Sequence, residues 1–267
     1  MRYEDVPGVN ISTLKELWSK SPLHYRYRLE HPREETPALT LGIATHMAIL
    51  EPLRFAEHYM VRPEGLDGRT AAGKAWLAQY GHLPILTFEN HQACLAMRAA
   101  VESHPVASRY LGPGQVERII QWTDPEMDIA CKGRVDMVLD SGVLVDLKTA
   151  RDVNPRMFAT QAARLGYHLQ LAFYHDGLEA LGKAPPAVVI IAVESAAPHD
   201  VVVYEVPTDV LDRGREEYRL ALETLKMCRV RNEWPGYGET ATDLVLPTWA
   251  LGEDIDDVAD YRNGGEG

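Results

Sequence analysis

Asp136, Asp146 and Lys148 carry the strongest chemical signal in this chain, because two carboxylates and an ammonium at this spacing can share one site. Residues 133–139 and 143–148 are rich in Val, Leu and Met, and Asp140-Ser141-Gly142 between them is turn chemistry, so the segment predicts a hairpin. With Gly142 at a positive-φ position of a three-residue loop, Leu139 pairs with Val143, and the same register sets Asp136 opposite Asp146. Side chains alternate along a strand, so Lys148 shares the face of Asp146, and Asp136 joins them. Like charges directly opposite destabilise a sheet. A divalent cation is the natural compensation; the plainer alternative is a solvated hairpin face. The apolar run Val143-Leu144-Val145 argues against that alternative, since a strand covered on both faces leaves its carboxylate in need of a partner.

Other candidates lie on separate predicted elements. Gln170 and Tyr174 stand four residues apart on a predicted helix and so share one face, which is also what a core helix with polar edges looks like. Glu117 lies in an alternating segment that predicts a strand. His46 is the single imidazole of the apolar helix around 42–50, where a satisfied core histidine is the plainer alternative.

In order along the chain, Gly42-x-x-x-His46, Glu117, Gly133-Arg134-x-Asp136, Asp146-Leu147-Lys148-Thr149 and Gln170-x-x-x-Tyr174 resemble the motifs of the PD-(D/E)XK nuclease superfamily. Within it they are most similar to RecE-like (exodeoxyribonuclease VIII-type) exonucleases of phages and prophages. Looser likenesses are Lys20-Ser21-Pro22-Leu23-His24-Tyr25, Leu50-Glu51-Pro52 and Arg69 through Lys74, so the resemblance spans roughly residues 10–235. The second acidic position is Asp146 where glutamate is commoner.

The resemblance implies an α/β fold: a PD-(D/E)XK core with a central mixed β-sheet flanked by helices, and a helical N-terminal layer that contributes His46. It implies a metal-dependent hydrolase acting on phosphodiester bonds of linear double-stranded DNA, with Mg²⁺ or Mn²⁺ as cofactor. Two ions about 4 Å apart activate water and neutralise the phosphate in such sites. Asp136 and Asp146 would share the ions with the Leu147 carbonyl, His46 would complete one shell, and Glu117 would hold the second ion directly or through water. The imidazole favours Mn²⁺ over Mg²⁺. Lys148 would position or deprotonate the attacking water, its pKa lowered by desolvation and by the metal ions. Gln170 and Tyr174 would orient Lys148 and the scissile phosphate, with Ser12, Arg28, Arg69 and Lys74 as phosphate contacts. The kinship further implies 5′→3′ digestion, a ring-shaped homo-oligomer, a single-strand annealing recombinase as partner, and phage or prophage origin with action in the bacterial cytoplasm. The alternatives are a repair or restriction-type endonuclease on the same core, and a non-catalytic DNA-binding scaffold.

Composition agrees with an intracellular enzyme. At 267 residues and 46% hydrophobic content the chain supports one large core. It has no apolar run of membrane-spanning length, and Met1-Arg2-Tyr3-Glu4-Asp5 does not read as a signal peptide. Cys94, Cys131 and Cys228 are isolated, which argues against disulfides, a zinc site and an iron–sulfur cluster. The net charge of −12 is unusual for a DNA-handling protein, but residues 239–267 account for −7 of it. Lys20, Arg26, Arg28 and Arg33 against Glu30 give a local +3, interleaved with Tyr25 and Tyr27, which suits phosphate tracking or an ordinary solvated helix face.

Helices are expected over 10–52, with a capping box at Thr13-x-x-Glu16 and first-turn prolines at Pro22 and Pro37. A loop follows at 53–69, then helices at 70–80 and 88–103. Strands are expected at 115–123, 128–139 and 143–148, helices at 155–164 and 167–181, strands at 187–194 and 200–206, and a long helix at 208–232. This gives one domain over 1–238, with a helical part at about 10–110 and a catalytic core at about 111–232. Residues 239–267 form an acidic, partly disordered tail.

Overall fold

The computed structural model describes residues 2–32, 36–247 and 250. The N-terminal half is helical: α1 (Ile11–Ser19), α2 (Pro22–Glu30), α3 (Pro37–Leu50), α4 (Pro52–His58), α5 (Ala71–Tyr80) and α6 (Phe88–Ser103). Two short strands, β1 (Met60–Val61) and β2 (Ile85–Leu86), pair in parallel beside them. The second half alternates strands and helices: β3 (Gly114–Asp124), β4 (Ile129–Leu139), β5 (Leu144–Ala150), α7 (Pro155–Leu165), α8 (Tyr167–Ala180), β6 (Val188–Glu194), β7 (Val201–Glu205) and α9 (Thr208–Arg231). Strands β3 to β7 form one mixed sheet in sequence order; only β5 and β6 run parallel, joined by the crossover through α7 and α8.

The sheet is covered on both faces, and the strand patterns show why. Leu144, Ile190 and Ala192 point to one side with Ile120 and Trp122, where they pack against Leu171 and Phe173 of α8, Leu222 and Leu225 of α9 and Leu14 of α1. Val145, Leu147, Ile191 and Val193 point to the other, against Ile49 of α3 and Met97 and Val101 of α6. Strands buried on both faces need near-continuous apolar runs, and Val188–Val193 is fully buried. A strap at the N-terminus runs along β4: the Val9 N–H donates to the Ala130 carbonyl, and Lys132 Nζ donates to the carbonyls of Tyr3 and Val6.

Pro22 and Pro37 do open α2 and α3. Two expectations need correction. Residues 53–69 are not all loop, because Pro52 starts α4, anchored by buried Phe55, and β1 follows; proline both ends one helix and pre-sets the first turn of the next. Thr13 is not an N-cap. Asn10 caps α1 by accepting the Thr13 N–H at 2.9 Å, and buried Glu16 instead takes Lys20 and Arg28 as ion partners. The chain separates into a unit of residues Met1–Trp234, which contains every element named above, and a unit of Pro235–Gly267. Arg33 and most of the acidic tail lie outside the described residues.

Candidate active site

Three carboxylates stand in a row across β3, β4 and β5. Met137 pairs with Val145 and Val138 with Leu144, the expected hairpin register, and Gly142 has the expected positive φ of 89°. That register places Asp136 opposite Asp146, but the ladder stops there: the strands part, and Asp136 Oδ2 accepts the Leu147 N–H at 2.8 Å. On the other flank, Val116 pairs with Met137 and Arg118 with Val135, which sets Glu117 opposite Asp136, again without a ladder pair. Alternation slips at the same place. Val135 and Val138 both belong to the α8-side core, whereas Met137, between them, faces α3 and α6. Glu117 takes φ of 49°, a left-handed conformation that costs a non-glycine residue about 1 kcal/mol. The sheet is thus kinked where its acids meet, and such strain is held where the surroundings over-determine it.

Asp146 is only 1% exposed. Its Oδ1 accepts from Gln170 Nε2 at 3.0 Å, while Oδ2 makes no hydrogen bond and meets Lys148 Nζ at 2.5 Å as an ion pair. Burial pushes the Asp146 carboxyl up, and Asp136 adds to the push against the pull of Lys148. Burial also disfavours the Lys148 ammonium, but Asp146 and Asp136 outweigh it and raise the pKa. The expected lowering counted bound metal ions as well as desolvation; the protein's own charges by themselves turn the shift upward. Tyr174 is buried beside the acids and its phenol is raised well above the usual range by burial, Asp136 and Asp146. Its ring lies where a Cβ on Gly133 would come within 2.9 Å, which is why the Gly-Arg-x-Asp motif begins with glycine. Gln170 is corrected as well: its amide holds Asp146 rather than Lys148, and the group facing Lys148 is the Tyr167 ring, 4.9 Å from Nζ.

His46 extends from α3 toward the same row, with Nδ1 3.5 Å from Asp136 Oδ2. It lines the cleft, with its side chain 24% exposed. His46, Glu117 and Asp136 bring ligand atoms within 4.8 Å of one another. One imidazole and two carboxylates suit a divalent cation, and Asp146 Oδ2, paired with Lys148, offers another hard oxygen nearby. Asp146 lies outside that convergent trio, so it is Asp136 that sits at the centre of the row. Glu117 also pairs with Arg134 at 2.9 Å; burial raises its pKa against the pull of that arginine. His175, Asp176 and Glu179 form a second close group, but Asp176 is fully engaged by Arg215 and Tyr218.

Glu117, Asp136, His46 and Lys148 line a cleft of about 430 Å³, together with Tyr3, Ser12, Arg134, Tyr167, Gln170 and Tyr174, and Asp146 is buried behind them. Of the residues expected to contact phosphate, the structure brings Ser12 to the cleft. Arg28 is tied to Glu16, Arg69 is paired with Asp67 at 2.7 Å, and neither they nor Lys74 line the cleft. Motif reading overlooked Tyr3, Lys15, Arg134 and Tyr167. Arg134 stood inside the Gly133-Arg134-x-Asp136 motif and Tyr167 lies three residues before Gln170; Tyr3 and Lys15 come from distant segments and carry no local signal.

Residues 10–244 match the model of a PDDEXK-like domain of unknown function, DUF3799. No curated protein sequence matches significantly. Among solved structures, a protein of Eubacterium rectale assigned as an exonuclease superposes with a TM-score of 0.61 at 12% identity, covering 92% of this chain and 93% of its own. A phage-related exonuclease of Haemophilus somnus 129PT aligns with a TM-score of 0.34 at 12% identity, over 71% of this chain and 95% of its own. The mixed sheet flanked by helices is the PDDEXK-like core, and the chain belongs to the PDDEXK-like DUF3799 family.

Proposed function

We propose that this protein is a metal-dependent exonuclease that hydrolyses phosphodiester bonds of linear double-stranded DNA. The observation that carries the reading is the row Glu117, Asp136 and Asp146, with His46 on one side and Lys148 on the other, at a kink in an otherwise regular sheet. His46, Glu117 and Asp136 would hold one divalent cation; Asp136, Asp146 Oδ2 and the Leu147 carbonyl would hold a second. Mg²⁺ or Mn²⁺ bound there supplies a water of lowered pKa and neutralises the phosphate. Lys148, protonated and fixed above Tyr167, donates to the attacking water or to a phosphate oxygen and so sets the line of attack. Gln170 holds Asp146 in place, and the Tyr174 phenol, kept protonated, is a further donor beside the acids. Ser12, Arg134 and Tyr3 form the wall that the DNA backbone would meet, with Arg28, Arg69 and Lys74 assigned to phosphates outside the cleft.

The fold neighbour assigned as an exonuclease supports digestion from an end. The resemblance of the motifs to RecE-like exonucleases adds 5′→3′ polarity, a ring-shaped oligomer, a single-strand annealing recombinase as partner, and a phage or prophage enzyme acting in the bacterial cytoplasm. End-labelled linear duplex and closed circular duplex, each incubated with Mg²⁺, Mn²⁺ or EDTA, test the reading. Linear DNA is expected to be consumed with either metal and spared by EDTA, while circles survive. Cleaved circles would make the protein an endonuclease, and binding without cleavage would make it a scaffold.

A further inference from the structure

A second lysine reaches the site from α1, and nothing in the mechanism above uses it. Lys15 Nζ donates to the Leu165 carbonyl at 2.9 Å and to Gln170 Oε1 at 3.4 Å, and lies 5.8 Å from the centre of the Tyr167 ring. Burial, and then the charge of Lys148, press its pKa down to about 7. A surface lysine would avoid that cost by turning to solvent, as lysines ordinarily do.

Hydrogen-bond inventory gives the position meaning. The Lys15 amino group donates to the amide oxygen of Gln170, which leaves the amide NH₂ for Asp146 Oδ1. With Oδ1 so occupied, Asp146 presents Oδ2 alone to the cation and to Lys148. We propose that Lys15 is a positioning residue: through Gln170 it commits Asp146 to a single orientation in which Oδ2 is the metal-binding oxygen. The inference rests on the metal-dependent reading of the site and deepens it. Partners of this kind, which orient a ligand without touching the ion, change affinity about 10–100-fold when removed.

Lys15 has one alternative role, as a cap on the last carbonyls of α7, and the two roles separate in a double-mutant cycle read by Mn²⁺ calorimetry. Lys15→Met and Gln170→Leu are each expected to weaken Mn²⁺ binding at least fivefold, and the double variant no more than the worse single one. Lys15→Arg, which keeps the donor, is expected to recover part of the loss. Melting curves on the same preparations correct each affinity for the folded fraction, and Gln170→Leu keeps the test open if Lys15→Met folds poorly. Wild-type affinity in Lys15→Met, or strictly additive losses in the double variant, would overturn the inference while leaving the metal site standing. A wild-type protein that binds no Mn²⁺ would overturn both.

Discussion

At the scale of single residues, His46 separates a ligand from packing. Its ring faces Asp136 across 3.5 Å and is partly open to the cleft, so His46→Ala should leave the melting temperature within a few degrees of wild type. The same change should cut activity strongly, with partial recovery in excess Mn²⁺ as water replaces the lost nitrogen. A packed core histidine would behave the opposite way, losing roughly 2–4 kcal/mol with activity per folded molecule preserved; melting curves and specific rates on one preparation decide between them. The approach of Asp136, Asp146 and Lys148 was legible from the hairpin register, although the pairing stops and the alternation slips at Asp136 itself. The ionisation of Lys148 was not. Desolvation and the two aspartates oppose each other, and only the 2.5 Å approach of Asp146 shows which prevails. Lys15 was illegible for another reason: a lysine on an amphipathic helix looks the same whether its head meets solvent or an amide 155 positions away.

At the scale of elements, the kink and the α8–α9 clamp make separate predictions. Glu117→Gly should be nearly neutral for stability, since relief of about 1 kcal/mol of left-handed strain offsets the freedom glycine adds to the unfolded chain. It should nevertheless weaken metal binding; equilibrium urea unfolding and Mn²⁺ calorimetry read the two effects apart. Strand prediction found β3 but not the kink, because its alternation looks unbroken until the partner strand shows where pairing stops. On α8, burial opposes ionisation of Asp176, but hydrogen bonds from His175, Arg215 and Tyr218 outweigh it and hold the carboxyl well below the usual carboxylate range. Arg215 grips it with two bonds of 2.8 Å and Tyr218 adds one of 2.6 Å, tying α8 to α9. The carboxyl ionises more readily folded than unfolded, so its contribution is full above about pH 4 and fades as acid protonates it. Asp176→Asn should cost about 3 kcal/mol at pH 7. It should also flatten the fall in stability on acidification, as urea unfolding between pH 3 and pH 7 would show.

At the scale of the whole molecule, the covered sheet gathers Glu117, Asp136, Asp146 and Lys148 at one cleft of a chain whose net charge is −12. Repulsion within the row implies that cations stabilise the fold by mass action, by about 2.7 kcal/mol at a hundredfold excess over Kd. Mn²⁺ should therefore raise the melting temperature of the wild type and raise that of Asp136→Asn much less. The strand positions and the helices flanking a mixed sheet were legible from apolar runs and turn chemistry; the strand order was not read. The small pairing of β1 with β2 was not, since two-residue strands carry no periodicity. The central claim is that Lys148 and the row of acids form a hydrolytic centre, and it is tested most directly by the rate at which Lys148→Ala digests end-labelled linear duplex in Mn²⁺. Asp146, already raised by burial, takes up a proton when its ammonium partner is lost, so the variant should still fold. Loss of the donor should slow hydrolysis by about 10²-fold or more. A folded Lys148→Ala protein that keeps more than half the wild-type rate would contradict the account.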